Sequence, residues 1–127
     1  MRTYIDSNIL IWHLRGEPRA TQFLRQMAAD PSSELWIGAM QRAEIVFFMC
    51  EEEVKATLAL LAQFKTAPVT QAVVDQGSSI YRKWNPVCGI DINDAMLAAT
   101  MLLNGGRIFT LNVKHYPMPD IPVARPW

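Results

Sequence analysis

The sequence predicts an α/β domain with a small, mostly parallel central sheet sandwiched by helices. Three observations predict it. Short strand-like runs alternate with segments of helical period, and no pair of runs is joined by a hairpin turn. Helical segments outnumber strands, so the sheet must be small and covered. The opening strand also ends in a carboxylate, at the position where open α/β sheets place their ligands.

Taken in order, Arg2–Ile5 reads as the first strand, followed by Asp6-Ser7-Asn8, residue types that favour helix caps. Asn8–Leu14 is a short helix stopped by Gly16, and Pro18 restarts a second helix to Ala29. Asp30-Pro31-Ser32-Ser33 is a turn and Leu35–Ile37 a buried strand. Met40–Met49 reads as a helix with Met40, Phe47 and Phe48 beside its apolar face. A further helix over Glu51–Gln63 opens with three acids that complement its dipole. Lys65–Val69 is a strand interrupted by Pro68. Thr70 caps a helix running to about Trp84, with Val73, Val74, Gly77, Ile80 and Tyr81 at core spacing. Ile92–Asn104 is a helix stopped by Gly105-Gly106, Arg107–Thr110 a strand, and Ile121–Ala124 the last strand.

The 127 residues fit one domain over 1–127, and 50% hydrophobic against 19% charged residues is a globular composition. Twelve basic residues balance twelve acidic ones, so nucleic acid would have to be bound by a local patch. Cys50 and Cys88 match no metal spacing and read as buried apolar fillers. With no secretory signal and no apolar run long enough for a membrane, the expected location is cytoplasmic.

Several polar residues stand where chemistry is done. Asp6 ends the first strand. Glu44 lies within Ala43-Glu44-Ile45-Val46-Phe47-Phe48, and an ionised Glu on a core-facing stripe costs several kcal/mol, on the order of the burial penalty of one charge, unless a cation meets it. The plain alternative is a Glu turned to solvent. Asp91 and Asp94 have the spacing of a helix cap and its first turn. The following Ala95-Met96-Leu97-Ala98-Ala99 has no polar face, so that helix is buried and its start opens into a cleft. Thr110 and Asn112 follow a strand, with Lys114 and His115 next. Carboxylates that converge without Lys or Arg repel one another unless a divalent cation holds them, and an all-oxygen set suits Mg²⁺ or Mn²⁺.

Asp6-Ser7-Asn8-Ile9-Leu10, the Glu in the helix after the second strand, Asp94–Leu102 and Thr110–Tyr116 together resemble the PIN-domain ribonucleases. They particularly resemble the VapC-like toxins of type II toxin–antitoxin systems, over residues 2 to about 118. The resemblance implies a PIN-like fold and Asp6, Glu44 and Asp94 as the catalytic acids that hold Mg²⁺ or Mn²⁺. Thr110 and Asn112 match a polar pair beside the site. Many members carry a further acid where this chain has His115, which leaves three carboxylates with Asp91 as an auxiliary. The implied activity is metal-dependent hydrolysis of RNA phosphodiesters, in which the metal activates water and clamps the phosphate. Arg15, Arg19, Lys114 and His115 are candidates for phosphate contact. The implied partners are the RNA substrate, a cognate antitoxin and a second copy in a homodimer. The apolar face of the first two helices, with Trp12 and Phe23, would suit the antitoxin; the alternative for that face is ordinary core.

Two other readings compete. A catalytically weakened PIN-like module would bind RNA or a protein without cleavage, and His115 is the feature that favours it. A phosphoacceptor receiver domain also clusters acids at strand ends. It needs an Asp in the middle of the chain, and none occurs from Pro31 to Val74.

Overall fold

In the computed structural model, which describes residues 1–127, Arg2–Ile5 forms β1 at the centre of the sheet. Alternation along β1 sends Tyr4 to one face and Ile5 to the other, and both are fully buried. Four further strands, β2 (Glu34–Gly38), β3 (Lys65–Ala67), β4 (Arg107–Phe109) and β5 (Val123–Ala124), complete the order β3-β2-β1-β4-β5. Every pairing is parallel, so the expected mostly parallel sheet is wholly so.

Six helices cover it: α1 (Ser7–Leu14), α2 (Pro18–Ala29), α3 (Ala39–Val46), α4 (Val54–Leu61), α5 (Gln71–Cys88) and α6 (Ile92–Asn104). Ile5 and Ile37 meet Ile9, Leu10, Phe23, Ile45 and Leu61 in one core, on the α1–α4 side. Tyr4 and Ile108 meet Val73, Ile80, Leu97 and Ala98 in the other, on the α5–α6 side. The helix sandwich is therefore as expected. β1 lies between β2, which follows it after two helices, and β4, which comes much later in the chain. That reversal of strand order makes the carboxyl ends of β1 and β4 the switch point where open sheets place ligands.

β4 can lie close to β1 because its lead-in is glycine. Gly106 has φ +121°, and a Cβ there would lie 2.3 Å from the carbonyl oxygen of Arg2.

Several elements differ from the sequence reading. α3 stops at Val46, so Phe47 and Phe48 leave the core and are 80% and 82% exposed. Glu51–Glu53 forms a single 3-10 turn ahead of α4, and α4 ends at Leu61, two residues short of Gln63. α5 runs past Trp84 and carries Pro86 in its last turn, where the lost N–H removes one bond only. It ends where Gly89 adopts the left-handed conformation at φ +68°. Val74, expected in the core, is instead exposed on α5. Cys50 is exposed in the turn after α3 and Cys88 half-buried at the end of α5, so neither is the core filler expected; both are free thiols. No helix is long and apolar enough to cross a membrane.

Candidate active site

Asp6 leaves β1 in extended conformation and caps α1, and it is 5% exposed. The amide of Ser7 donates to Oδ1 at 2.8 Å, and the hydroxyl of Thr110, at the end of β4, donates to Oδ2 at 2.8 Å. Cap and site residue are thus one side chain, each carboxylate oxygen serving a different purpose.

Asp91 and Asp94 form the expected capping box at the start of α6. Asp91 Oδ1 accepts the amide of Asp94 at 2.7 Å, and Asp94 Oδ2 accepts the amide of Asp91 at 3.3 Å. The local reading is therefore right, and Asp94 also reaches the cleft. Its Oδ1 lies 3.3 Å from the hydroxyl of Tyr116, and its Oδ2 3.1 Å from Nδ1 of His115. Asp91 is exposed.

Tyr116 is the residue the sequence reading missed. It is 2% exposed, and its hydroxyl also lies 3.3 Å from Asp6 Oδ2, so one phenol joins the two acids. In the sequence it is an ordinary aromatic after a turn, and nothing in its spacing marks it. Asn8 was likewise passed over: its Nδ2 donates to Thr110 Oγ1 at 3.3 Å, and its Oδ1 accepts the amide of Leu111. Asn112, expected beside the site, is exposed, and only its backbone takes part, donating to Thr110 Oγ1 at 3.0 Å. The structure thus joins β1 and β4 through the side chain of Asn8, while Asn112 contributes its backbone beside Thr110. The buried Gln41 of α3 donates to the carbonyl of Asn93 at 3.2 Å and ties α3 to the start of α6.

Glu44 on α3 is half-buried, turned neither into the core nor fully to water. Burial first, and then the charges of Asp6, Asp91 and Asp94, raise its pKa to about 7. Burial raises Asp94 to about 6, helped by Asp91 and Asp6 and opposed by the cap amide and His115. Asp6 is also raised, chiefly by burial, against three hydrogen bonds that lower it. Burial and the same two carboxylates push Tyr116 well above its ordinary value, so it is a proton donor at any physiological pH. The charges of Asp6, Asp91 and Asp94 all act on Glu44, so these acids share one edge of the sheet; their repulsion opposes that gathering, and the packing of the fold imposes it.

The sequence matches the PIN domain family over residues 3–119. This chain belongs to the PIN domain family. It is 31% identical to the ribonuclease VapC10 of Mycobacterium tuberculosis over 115 residues, covering 90% of this chain and 85% of that protein. Against the ribonuclease VapC19 of the same organism the identity is 31% over 119 residues, covering 92% and 94%. Among solved structures, VapBC-1 from nontypeable Haemophilus influenzae matches with a TM-score of 0.80 at 18% identity, over 99% of this chain and 98% of that one.

In this PIN domain the polar groups at the cleft are carboxylate oxygens, the hydroxyls of Thr110 and Tyr116 and the ring of His115, and the carboxylate oxygens among them fit a hard cation such as Mg²⁺ or Mn²⁺. Their pKa values, raised first by burial and then by neighbouring carboxylates, are the electrostatic counterpart, since a divalent ion would offset both costs of the ionised acids. No three of the acidic or histidine side chains converge on a single point as they stand. Asp6 Oδ2 is engaged by Thr110 and Tyr116, and Asp94 by Tyr116, His115 and its own cap.

The basic candidates divide. Lys114 is exposed next to His115. Arg15 lines a hollow of about 140 Å³ with Glu44, Ile11, Leu14 and Ile45. Arg19 is paired with Glu17 and turned toward Trp127. Phe23 is 6% exposed and meets Phe109 edge to face at 5.0 Å, so it belongs to the core and not to a groove. Trp12 remains 46% exposed.

Proposed function

We propose that this PIN domain is a metal-dependent endoribonuclease that hydrolyses RNA phosphodiester bonds and serves as the toxin of a toxin–antitoxin pair. The observation that carries it is the Asp6–Tyr116–Asp94 bridge at the carboxyl edge of the sheet, with Glu44 near enough to feel both charges, raised pKa values at all three acids and no Lys or Arg paired to them. The two M. tuberculosis relatives carry the name ribonuclease, which supports RNA as the substrate. The Haemophilus VapBC-1 likeness and a toxin–antitoxin complex from Klebsiella pneumoniae of the same fold support the pairing with an antitoxin.

In this reading Asp6, Glu44 and Asp94 hold Mg²⁺ or Mn²⁺, which supplies charge neutralisation at the phosphate and activation of the attacking water. Thr110, Tyr116 and the Ser7 amide hold the Asp6 carboxylate in place, and Asp91 fixes Asp94 through the cap. Lys114 and Arg15 bind phosphates on either side of the cut. One domain spanning residues 1–127 acts in the cytoplasm, as a homodimer. The open apolar face of α5 and α6 around Val74, Tyr81, Ile92 and Met96 supports the dimer. Phe47 and Phe48, beside the hollow of α1, α3 and α4, offer the antitoxin an apolar surface.

The second reading, a catalytically weakened module that binds RNA or a protein, is favoured by His115 in the place of a fourth acid. Incubation of total RNA with purified protein and Mg²⁺, Mn²⁺ or EDTA, beside Asp6→Asn and Asp94→Asn, separates the two. Discrete products that require the ion and vanish in both variants are expected. Absent cleavage by folded protein would establish the binding module instead, and metal-independent cleavage would overturn the metal-dependent mechanism.

A further inference from the structure

The chain is neutral overall, so affinity for RNA has to come from a local grouping of charge. One such grouping stands beside the catalytic edge. A hollow of about 310 Å³ is lined by Trp12, Glu17, Arg19, Leu111, Arg125 and Trp127. The guanidinium of Arg19 lies 5.5 Å from the ring centre of Trp127, and that of Arg15 lies 5.7 Å from the ring centre of Trp12. Arg125 Nη1 donates to the carbonyl of Leu111 at 3.1 Å. Leu111 directly follows Thr110, whose hydroxyl holds Asp6. The hollow and the candidate active site are therefore two sides of one short backbone segment.

Trp127 is accounted for in part by the core of the α1–α4 side, against which it packs, and Trp12 is not. Nearly half of Trp12 faces water on α1, a large apolar surface left open on a helix whose other side carries Ile9 and Leu10 inward. Two guanidinium groups lie over the two indoles, Arg15 at Trp12 and Arg19 at Trp127, the second paired with Glu17, and Arg125 lines the same hollow. Indole faces beside guanidinium planes are the chemistry that receives an unpaired base together with its phosphates.

We propose that Trp12 and Trp127, with Arg15, Arg19 and Arg125, form a subsite that stacks an unpaired base of single-stranded RNA next to the phosphate being cut. This rests on the ribonuclease reading and extends it to where the substrate is gripped. Duplex RNA offers no free base face and would gain nothing there, so the subsite selects for single strands.

The test is binding of a short mixed-sequence single-stranded RNA to the whole protein in EDTA, where it is not cut. Hydrolysis of bis-p-nitrophenyl phosphate with Mn²⁺ is followed in parallel. Replacing both rings, Trp12→Leu with Trp127→Leu, is expected to weaken RNA binding by about tenfold or more. Trp12→Phe with Trp127→Phe restores it, while hydrolysis of the small diester stays at the wild-type rate. If the leucine pair unfolds, Arg15→Gln and Arg125→Gln are read instead, each lowering the salt dependence of RNA binding by about 0.7 in log–log slope. Unchanged RNA affinity in the leucine pair and unchanged slope in the glutamine variants would overturn the subsite. So would a loss confined to antitoxin binding, which would make the hollow a protein site. Failure of the wild type to hydrolyse both RNA and the small diester would instead sink the ribonuclease reading itself.

Discussion

His115 holds Nδ1 3.1 Å from Oδ2 of Asp94, at the mouth of the acidic cleft. A ring nitrogen there engages Asp94 as a fourth acid could not, since two carboxylates would repel. His115→Asp is expected to tighten Mn²⁺ binding and His115→Ala to leave it near the wild-type value, both read by titration calorimetry. Weaker binding in His115→Asp would mean that the acid cannot reach the ion.

Tyr116 presents one proton to two carboxylates, so at any moment it satisfies Asp6 or Asp94 and leaves the other to its remaining partners. Tyr116→Phe keeps the ring in its core site and removes only the hydroxyl. Mn²⁺ affinity and RNA cleavage should each fall by about 10- to 100-fold, the usual effect of losing a group that orients ligands. Thermal unfolding should shift little. A large stability loss with unchanged Mn²⁺ affinity would make Tyr116 a packing residue alone.

Glu44 at about 7 and Asp94 at about 6 both lie above their ordinary values of 4.5 and 3.8. Between roughly pH 4 and 7 the folded protein therefore keeps protons that the unfolded chain has released. Folding stability in EDTA should fall as pH rises through that window, and the penalty is complete above about pH 7. The melting temperature is expected to be higher at pH 5 than at pH 8. Glu44→Gln and Asp94→Asn should each flatten that difference, and so should saturating Mg²⁺. RNA cleavage runs the other way, declining below about pH 7 as the ligands protonate.

Thr57 Oγ1, on α4, is buried without a hydrogen-bond partner, and the residue is 1% exposed. Thr57→Val removes that unsatisfied hydroxyl at nearly constant shape. It should raise stability by about 1 kcal/mol, seen as a higher urea midpoint at unchanged slope. A lower midpoint would mean that the hydroxyl is satisfied in solution.

Much of the fold can be read locally. Pro18, Gly16 and Thr70 mark helix ends by backbone chemistry alone, and α2 and α6 begin and end at the expected residues. The capping box of Asp91 and Asp94 is likewise a matter of neighbouring residues. Period-based reading failed where an apolar run outlasts its element. Phe47 and Phe48 continue the pattern of α3, yet the chain turns away at Val46 and leaves them in water. Cys50 follows them out.

The sequence by itself determined which segments are helix or strand, where α2 and α6 begin and end, and that Asp6 stands at the end of the first strand. Those properties depend on residues a few positions apart. Only the tertiary structure decided that Asp6 meets Thr110 across 104 positions and Tyr116 across 110. It also decided that Asn8 and not the side chain of Asn112 braces the loop, and that Trp12 opens beside Trp127. The physical reason is strand order. Placing β4 directly against β1, with glycine at 106 to permit the approach, brings together ends of the chain that no local periodicity relates.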